Sequence, residues 1–259
     1  ELVPNKINLT ISTVDRTVGA ILSGAIAKKY GNKGLPDNTI DISFKGIAGQ
    51  SFGGYLVNGV NLSLEGEAND YVGKSMNGGQ ISIFPNSETS FEIDGNSIIG
   101  NTVLYGATGG RLFASGSAGE RFCVRNSGAL AVIEAVGDHA CEYMTGGEVY
   151  ILGPIGKNLG AGMSGGIVYI YNQNKNINSQ INPEMVFIDK ISDKDKDKIK
   201  NILINHKDLT KSKKAEHLLN NFDKEINSFI RVIPKEIYKI LESHGIKIDD
   251  FDFMRPKLN

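Results

Sequence analysis

The chain has no tryptophan and only two cysteines, seven prolines and four histidines in 259 residues. Two cysteines cannot staple a disulfide scaffold or ligate a four-thiolate cluster. No apolar run approaches the roughly 20 residues of a membrane-spanning helix. The opening Glu1-Leu2-Val3-Pro4 lacks the basic and apolar regions of a secretion signal. Neither sign of charge dominates, since 28 Lys and Arg face 29 Asp and Glu. That balance, with no basic stripe between aromatics, argues against a nucleic-acid partner. The expectation is a soluble, cytoplasmic protein, an organelle being the alternative, with one large core or a core plus an appendage.

Glycine is what the chain has in excess: 31 residues, against roughly 7% in an average protein. Twenty-six of them lie between Gly46 and Gly166, and only Gly245 lies beyond. No three-residue period exists, so collagen is excluded. Dense apolar residues between the glycines exclude disorder. The skew divides the chain into a lead-in (1–45), a glycine-rich middle (46–186) and a tail (187–259).

The middle repeats. The second glycines of successive turns, Gly79, Gly110, Gly128, Gly147 and Gly166, serve as anchors, and the last four are 18, 19 and 19 residues apart. The first gap is longer, with an insertion around 84–96. Two positions after the anchors stand Ile81, Leu112, Leu130, Val149 and Val168, and four after stand Ile83, Ala114, Val132, Ile151 and Ile170. This period-two pattern marks one face of a strand. Small polar residues (Asn77, Thr108, Asn126, Thr145, Ser164) precede the anchors by two, and small ones (Asn69, Gly100, Ala118, Gly137, Gly156) by ten. A unit this short cannot bury its own apolar face, but stacked units can. The pattern predicts a single-stranded parallel β-helix of about six or seven coils.

The lead-in predicts a strand at Ile7–Ile11, a helix at Asp15–Tyr30 started by Ser12, Thr13 or Asp15, and a strand at Thr39–Phe44. Gly31 fits the helix C-cap. The tail predicts helices at 192–206, 211–222 and 234–244, with Ser192 or Asp193, Pro234 and Gly245 at their boundaries. Its apolar residues, Phe229 and Ile230 among them, imply an appendage covering one end of the stack.

Candidate chemistry is sparse. His139 and Cys141 suggest a base and a nucleophile, but neighbouring strand residues point apart and no second histidine lies nearby. Cys123 and Cys141 sit about one coil apart at offsets that place them on opposite faces, as inert buried thiols. Glu65, Glu67, Asp70 and Glu92 offer carboxylates without the paired spacing of a glycosidase. Gly160-Ala161-Gly162-Met163-Ser164-Gly165 has the letters of a dinucleotide loop, yet a strand follows it. Arg121, Arg125 and Glu142 form a charged cluster, read either as an inter-coil ion pair or as a domain interface.

Several ordered stretches carry a resemblance. They are Asp15–Gly24, Ala68–Lys74, Ala118–Gly128, Gly137–Gly147, Gly160–Gly166 and Asn182-Pro183-Glu184-Met185-Val186. Together they resemble the GXGXG domain that forms the C-terminal part of the glutamate synthase large subunit. The resemblance implies a right-handed β-helix without catalytic, cofactor or metal residues of its own. In that family the enzyme hydrolyses glutamine at an N-terminal cysteine and passes ammonia to a flavin site that makes glutamate from 2-oxoglutarate. The implied partners are the glutaminase and FMN-binding synthase domains, with a small reductase subunit as a further candidate. FMN and an iron–sulfur cluster are expected in the rest of the enzyme, and this chain alone is expected to be inactive. Two alternatives stay open. One is a stand-alone assembly subunit of a multi-chain oxidoreductase, in the way that formylmethanofuran dehydrogenase hosts a related repeat; the other is a polysaccharide-cleaving β-helix.

Overall fold

A computed structural model describes residues 5–86, 96–173 and 177–254. Strands β1 (Asn5–Ile11), β2 (Ile40–Ala48), β3 (Val60–Ala68), β4 (Asn77–Phe84), β5 (Ser97–Ile99), β6 (Gly109–Ala118), β7 (Ser127–Val136), β8 (Thr145–Ile151) and β9 (Gly165–Tyr171) form a parallel stack. The sheet order is β1-β2-β3-β4-β6-β7-β8-β9, with β5 pairing β3 and β6. The architecture is the expected β-solenoid, of about six turns.

Repetition at fixed period lets each coil lay its strand on the last in register. Two columns then fill the interior. One holds Leu62, Ile81, Leu112, Ala131, Val149 and Val168; the other holds Leu64, Ile83, Ala114, Ile133, Ile151 and Ile170. All twelve are 0–1% exposed.

The third repeat departs from the sequence pattern by one residue. Ala131 and Ile133 face inward, whereas Leu130 and Val132 face outward. Gly128 therefore lines up with Gly109, and Ala129 holds the place of the second glycine. Ser127 and Gly119 likewise replace Asn126 and Ala118 in their columns. The cause is Asn126, which is fully buried. Its Oδ1 accepts the N–H groups of Gly128 and Ala129, and its Nδ2 donates to the Ala129 carbonyl. An amide side chain thus shapes a turn that glycine shapes elsewhere. At Gly128 the requirement is proximity, because a Cβ would lie 2.4 Å from the Thr108 carbonyl oxygen of the previous coil. At Gly147 a φ of 93° adds a backbone requirement.

Helix α1 (Ala20–Tyr30) begins five residues later than predicted. Residues 15–19 are drawn into the stack instead: Thr17 N–H donates to Gln50, and Gly49 N–H to Asp15. Ser12 bonds Asp15 in a local turn and caps no helix. Gly31 closes the helix as expected, its N–H donating to Ala27. Residues 87–95, including Glu92 and most of the insertion, lie outside the described residues.

The tail contributes β10 (Val186–Lys190), α2 (Asp193–Thr210), α3 (Lys213–Asn220), α4 (Phe222–Glu225), β11 (Phe229–Pro234) and α5 (Lys235–Ser243). Ser192 and Asp195 form a capping box at α2. Strands β10 and β11 are absent from the sequence prediction, which placed Phe229 and Ile230 with the helices. β11 runs antiparallel beside β9, and β10 antiparallel beside β11. The helices do more than cover one end: they lie along the outer face of β6–β9. There Phe113, Val132, Tyr150 and Tyr169 form a stacked column against Ile199, Leu203 and Leu218.

Candidate domain interface

Each coil turns one corner through a run in which every second residue is left-handed. In one coil these are Arg121 (φ 60°), Cys123 (58°) and Arg125 (54°); in the next they are His139 (64°), Cys141 (58°) and Tyr143 (52°). The hydrogen bonds show why the run repeats. Arg121 N–H reaches forward to Asp138, Cys123 N–H back to Val103, and Arg125 N–H forward to Glu142. The following coil does the same through Lys157, Phe122 and Ala161. Left-handed residues let N–H groups alternate up and down the stack, so tight corners remain paired to both neighbours.

The run sorts side chains by position. The outer left-handed positions project outward as a ridge carrying Tyr55, Tyr71, Arg121, Arg125, His139 and Tyr143. The central positions turn into the core. Cys123 and Cys141 are equivalent residues one coil apart, both fully buried and facing the same way, contrary to the opposite faces read from their offsets. Burial pushes the Cys141 thiol up to about 12. Burial, then the neighbouring Cys141, pushes Cys123 up as well. Neither is a nucleophile, because the thiolate is the reactive form. His139 stands outside the wall, within 3.2 Å of both Asn158 and Glu142, so no Cys–His dyad exists.

The ridge brings the three predicted interface residues together. Glu142, only 14% exposed at its side chain, bridges Arg121 of the preceding coil at 3.1 Å and His139 at 3.2 Å. Arg125 lies over the Tyr143 ring at 5.9 Å. That ring rests against Gly162, where a Cβ would come within 2.4 Å of it. Further along, Lys74 lies over Tyr71, and Tyr71 meets Tyr105 edge-on at 6.5 Å. Beside the ridge runs a ladder of side chains that cap the backbone of the next coil. Asp70 accepts the Asn101 N–H, Asn101 the Glu120 N–H, and Asp138 the Lys157 N–H, each at 2.7 Å.

Of the other carboxylates, two have structural partners. Asp70 belongs to the ladder, Glu65 approaches Lys45 at 3.8 Å, and Glu67 lies exposed on β3. The Gly160–Gly165 stretch is another corner, followed by β9 and no helix. Among the described residues, no group of three or more His, Cys, Asp or Glu is placed to hold a metal ion. No described helix is long and apolar enough to cross a membrane.

Sequence reasoning missed the buried polar centres, of which one borders a cleft. Glu134, only 6% exposed, accepts hydrogen bonds at Oε1 from Ser115 (3.0 Å) and Ser212, with His206 Nε2 at 3.4 Å. It ties α2 and α3 to the coils and flanks a cleft of about 750 Å³ bordered by Tyr171, Gln180 and Lys214. Its one signal was a lone carboxylate inside the apolar run 131–136.

The family model described as GXGXG motif matches residues 3–235. The chain is 46% identical over 251 residues to a Schizosaccharomyces pombe glutamate synthase [NADH], covering 96% of this chain and 12% of that protein. It is 50% identical over 232 residues to ferredoxin-dependent glutamate synthase 2 of Synechocystis, covering 89% and 15%. It is 45% identical over 239 residues to the Bacillus subtilis glutamate synthase [NADPH] large chain, covering 92% and 16%. The chain therefore spans less than a fifth of the length of these relatives.

Proposed function

The chain belongs to the GXGXG motif family and corresponds to a region of glutamate synthases, and from that premise we propose that it is a structural domain of such an enzyme. It holds the glutaminase and FMN-binding synthase domains in register while ammonia passes between them. The observation that carries this reading is the continuity of the stack. Corner N–H groups bond both neighbouring coils, and the two interior columns are filled from β3 to β9. Distances along such a body are fixed by hydrogen bonds every coil, which is what channelling between two centres needs.

The residues present do not fit an iron–sulfur cluster or a dinucleotide phosphate loop. An iron–sulfur cluster takes four thiolates, or two thiolates and two imidazoles, whereas the two thiols here are sealed in the core. A dinucleotide loop holds its phosphate at a helix N-terminus, but the Gly160 corner leads into strand β9 and no helix. FMN and the cluster belong to the remainder of the enzyme, whose setting in this reading is the cytoplasm. An organelle remains the alternative; one relative, from Arabidopsis thaliana, is named as chloroplastic.

The Arg121–Glu142–Arg125 ridge is the docking surface in this reading. In a full-length synthase carrying this region, joint Arg121→Ala and Arg125→Ala replacement lowers glutamine-dependent glutamate formation several-fold while ammonia-dependent formation persists. An unchanged ratio of the two activities removes the ridge from the interface. Flavin absorbance near 450 nm co-purifying with this chain alone, at one per chain, overturns the structural role.

A further inference from the structure

Between Gly46 and Tyr171 the chain carries five Lys and Arg against eleven Asp and Glu. Four of those five cations, Lys74, Arg121, Arg125 and Lys157, nevertheless stand on the left-handed corner or directly beside it, and only Arg111 lies elsewhere. The carboxylates of the same corner are turned to other uses. Asp70 and Asp138 accept N–H groups of the following coil, and Glu142 is mostly covered while it holds Arg121 and His139. Glu120 is left as the exposed carboxylate among them. Lys74, Arg125 and Lys157 have no ion pair among the described residues. An acidic stretch of chain thus shows solvent a cationic strip at one corner. Tyrosine follows the same distribution. Of the seven between residues 46 and 171, Tyr150, Tyr169 and Tyr171 are buried against the tail, and the other four stand on the corner. Tyr55, Tyr71 and Tyr143 are 51%, 37% and 52% exposed. Lys74 and Arg125 already lie over two of these rings. Tyrosines beside guanidinium groups, on a backbone bonded to both neighbouring coils, make a rigid surface that loses little freedom on being covered.

We propose that this corner receives an acidic protein surface from another part of the synthase, whose carboxylates meet the four cations and whose apolar groups lie on the tyrosines. The proposal rests on the reading of the ridge as a docking surface and adds the chemistry of what docks there. Charge selects this partner. Away from the corner the same stretch has Arg111 as its only cation, so carboxylates find attraction here and little elsewhere on the coils. A basic surface would set like charges against Lys74, Arg125 and Lys157 and find only Glu120 exposed to pair with. Exposure decides which contacts give affinity. Ion pairs at such open sites contribute at most about 1 kcal/mol each. Covering the tyrosines therefore supplies most of the binding, and the charges fix the orientation. With the cations on one corner only, they also set the rotation of the coil stack about its own axis.

The test uses a full-length synthase carrying this region, with two reagents. A water-soluble carbodiimide joins carboxylates to amines in direct contact, and tetranitromethane nitrates exposed tyrosines. Peptide mapping is expected to find Lys74 or Lys157 joined to an Asp or Glu outside these 259 residues. Lys74→Arg and Lys157→Arg each remove their own link, because a guanidinium keeps the charge without coupling. Nitration of Tyr55, Tyr71 and Tyr143 is expected to be at least about fivefold slower in the synthase than in the 259-residue chain alone. Joint Lys74→Glu and Arg125→Glu replacement returns those rates toward the chain alone. It leaves the corner's backbone hydrogen bonds in place, so circular dichroism stays that of the wild type. Shielded tyrosines without any such link overturn the acidic partner and leave the docking surface standing. So do slow rates that ignore the double replacement. Tyrosines nitrated equally in both proteins overturn the docking surface and its partner together.

Discussion

At the end of the stack formed by β9, β11 and β10 continue the sheet antiparallel, while the outer face of β6–β9 lies under α2 and α3. At the end formed by β1, nothing among the described residues extends the sheet, and Ile7 and Leu9 meet solvent. The same interior column runs through both ends, so residue type does not explain the difference. What differs is the chain that follows. Beside β9 the chain lays β11 in the reversed direction, which cannot continue the parallel coil and so ends the repeat. Before β2 come one strand and α1, whose only buried residues are Ser23 and Ile26. A solenoid supplies its core by repetition but must finish its ends by other means.

The finished end depends on a charge cluster, and breaking it gives the largest expected effect. Arg231, about 6% exposed, pairs with Asp189 at 2.7 Å, with Asp195 at 2.8 Å and with Asp249. Asp195 also accepts from the Tyr169 hydroxyl at 2.7 Å. Arg231→Ala leaves Asp195 buried without its cation, and about 3–5 kcal/mol of unfolding free energy is expected to be lost, measured by urea titration. The cluster also sets an acid limit. Burial alone raises the Asp249 carboxyl, but the Arg231 guanidinium more than offsets this and holds it below its ordinary 3.8. A lowered carboxyl contributes stability that is present above its unfolded pKa and lost as pH falls through the folded one. Stability should therefore decline on acidification below about pH 4, and less steeply in the Arg231→Ala protein. Equal slopes in the two proteins remove the cluster as the cause.

The interior column sharpens the comparison by using one substitution at both places. Ile133→Val in the middle of the stack removes a methylene from a fully buried site and should cost about 0.5–1.5 kcal/mol. Ile7→Val, at a site 42% exposed, should cost less than about 0.5 kcal/mol. Equal losses by thermal unfolding at dilute concentration mean that Ile7 is sealed in solution.

How far the sequence revealed this contrast depends on the element. The coil period, the two apolar columns and α2 were readable because repetition multiplies a weak signal by the number of coils. The slip at Gly128 was hidden because Asn126 does by side-chain hydrogen bonding what glycine does by backbone freedom, so matching glycines misplaced the coil. The left-handed corners were hidden for a related reason. Arg121, Cys123 and Tyr143 are not residues that announce positive φ, and inter-coil hydrogen bonds hold them there. Strands β10 and β11 were missed since Val186–Lys190 and Phe229–Pro234 occur once each, outside the repeat. Arg121, Arg125 and Glu142 were singled out by their charge and do share one ridge. The pairing of Glu142 with His139 was not foreseen, because it depends on which residues a corner turns outward.

That ridge gives the smallest expected effect on folding, and the contrast with Arg231 is its value. Arg121 reaches Glu142 at 3.1 Å across a coil boundary, but its side chain is 50% exposed. Water screens such a pair, and ordering a long side chain offsets much of what remains. The corner itself is held by backbone hydrogen bonds from Arg121 to Asp138 and from Arg125 to Glu142, which truncation to alanine leaves in place. Alanine also keeps the Cβ that the left-handed backbone already tolerates here. Arg121→Ala should therefore change the unfolding free energy by less than about 0.5 kcal/mol, roughly an order of magnitude below Arg231→Ala. A loss approaching that of Arg231→Ala would show the ridge to be part of what holds the coils together, and its exposed face could then no longer be read as a surface kept for a partner.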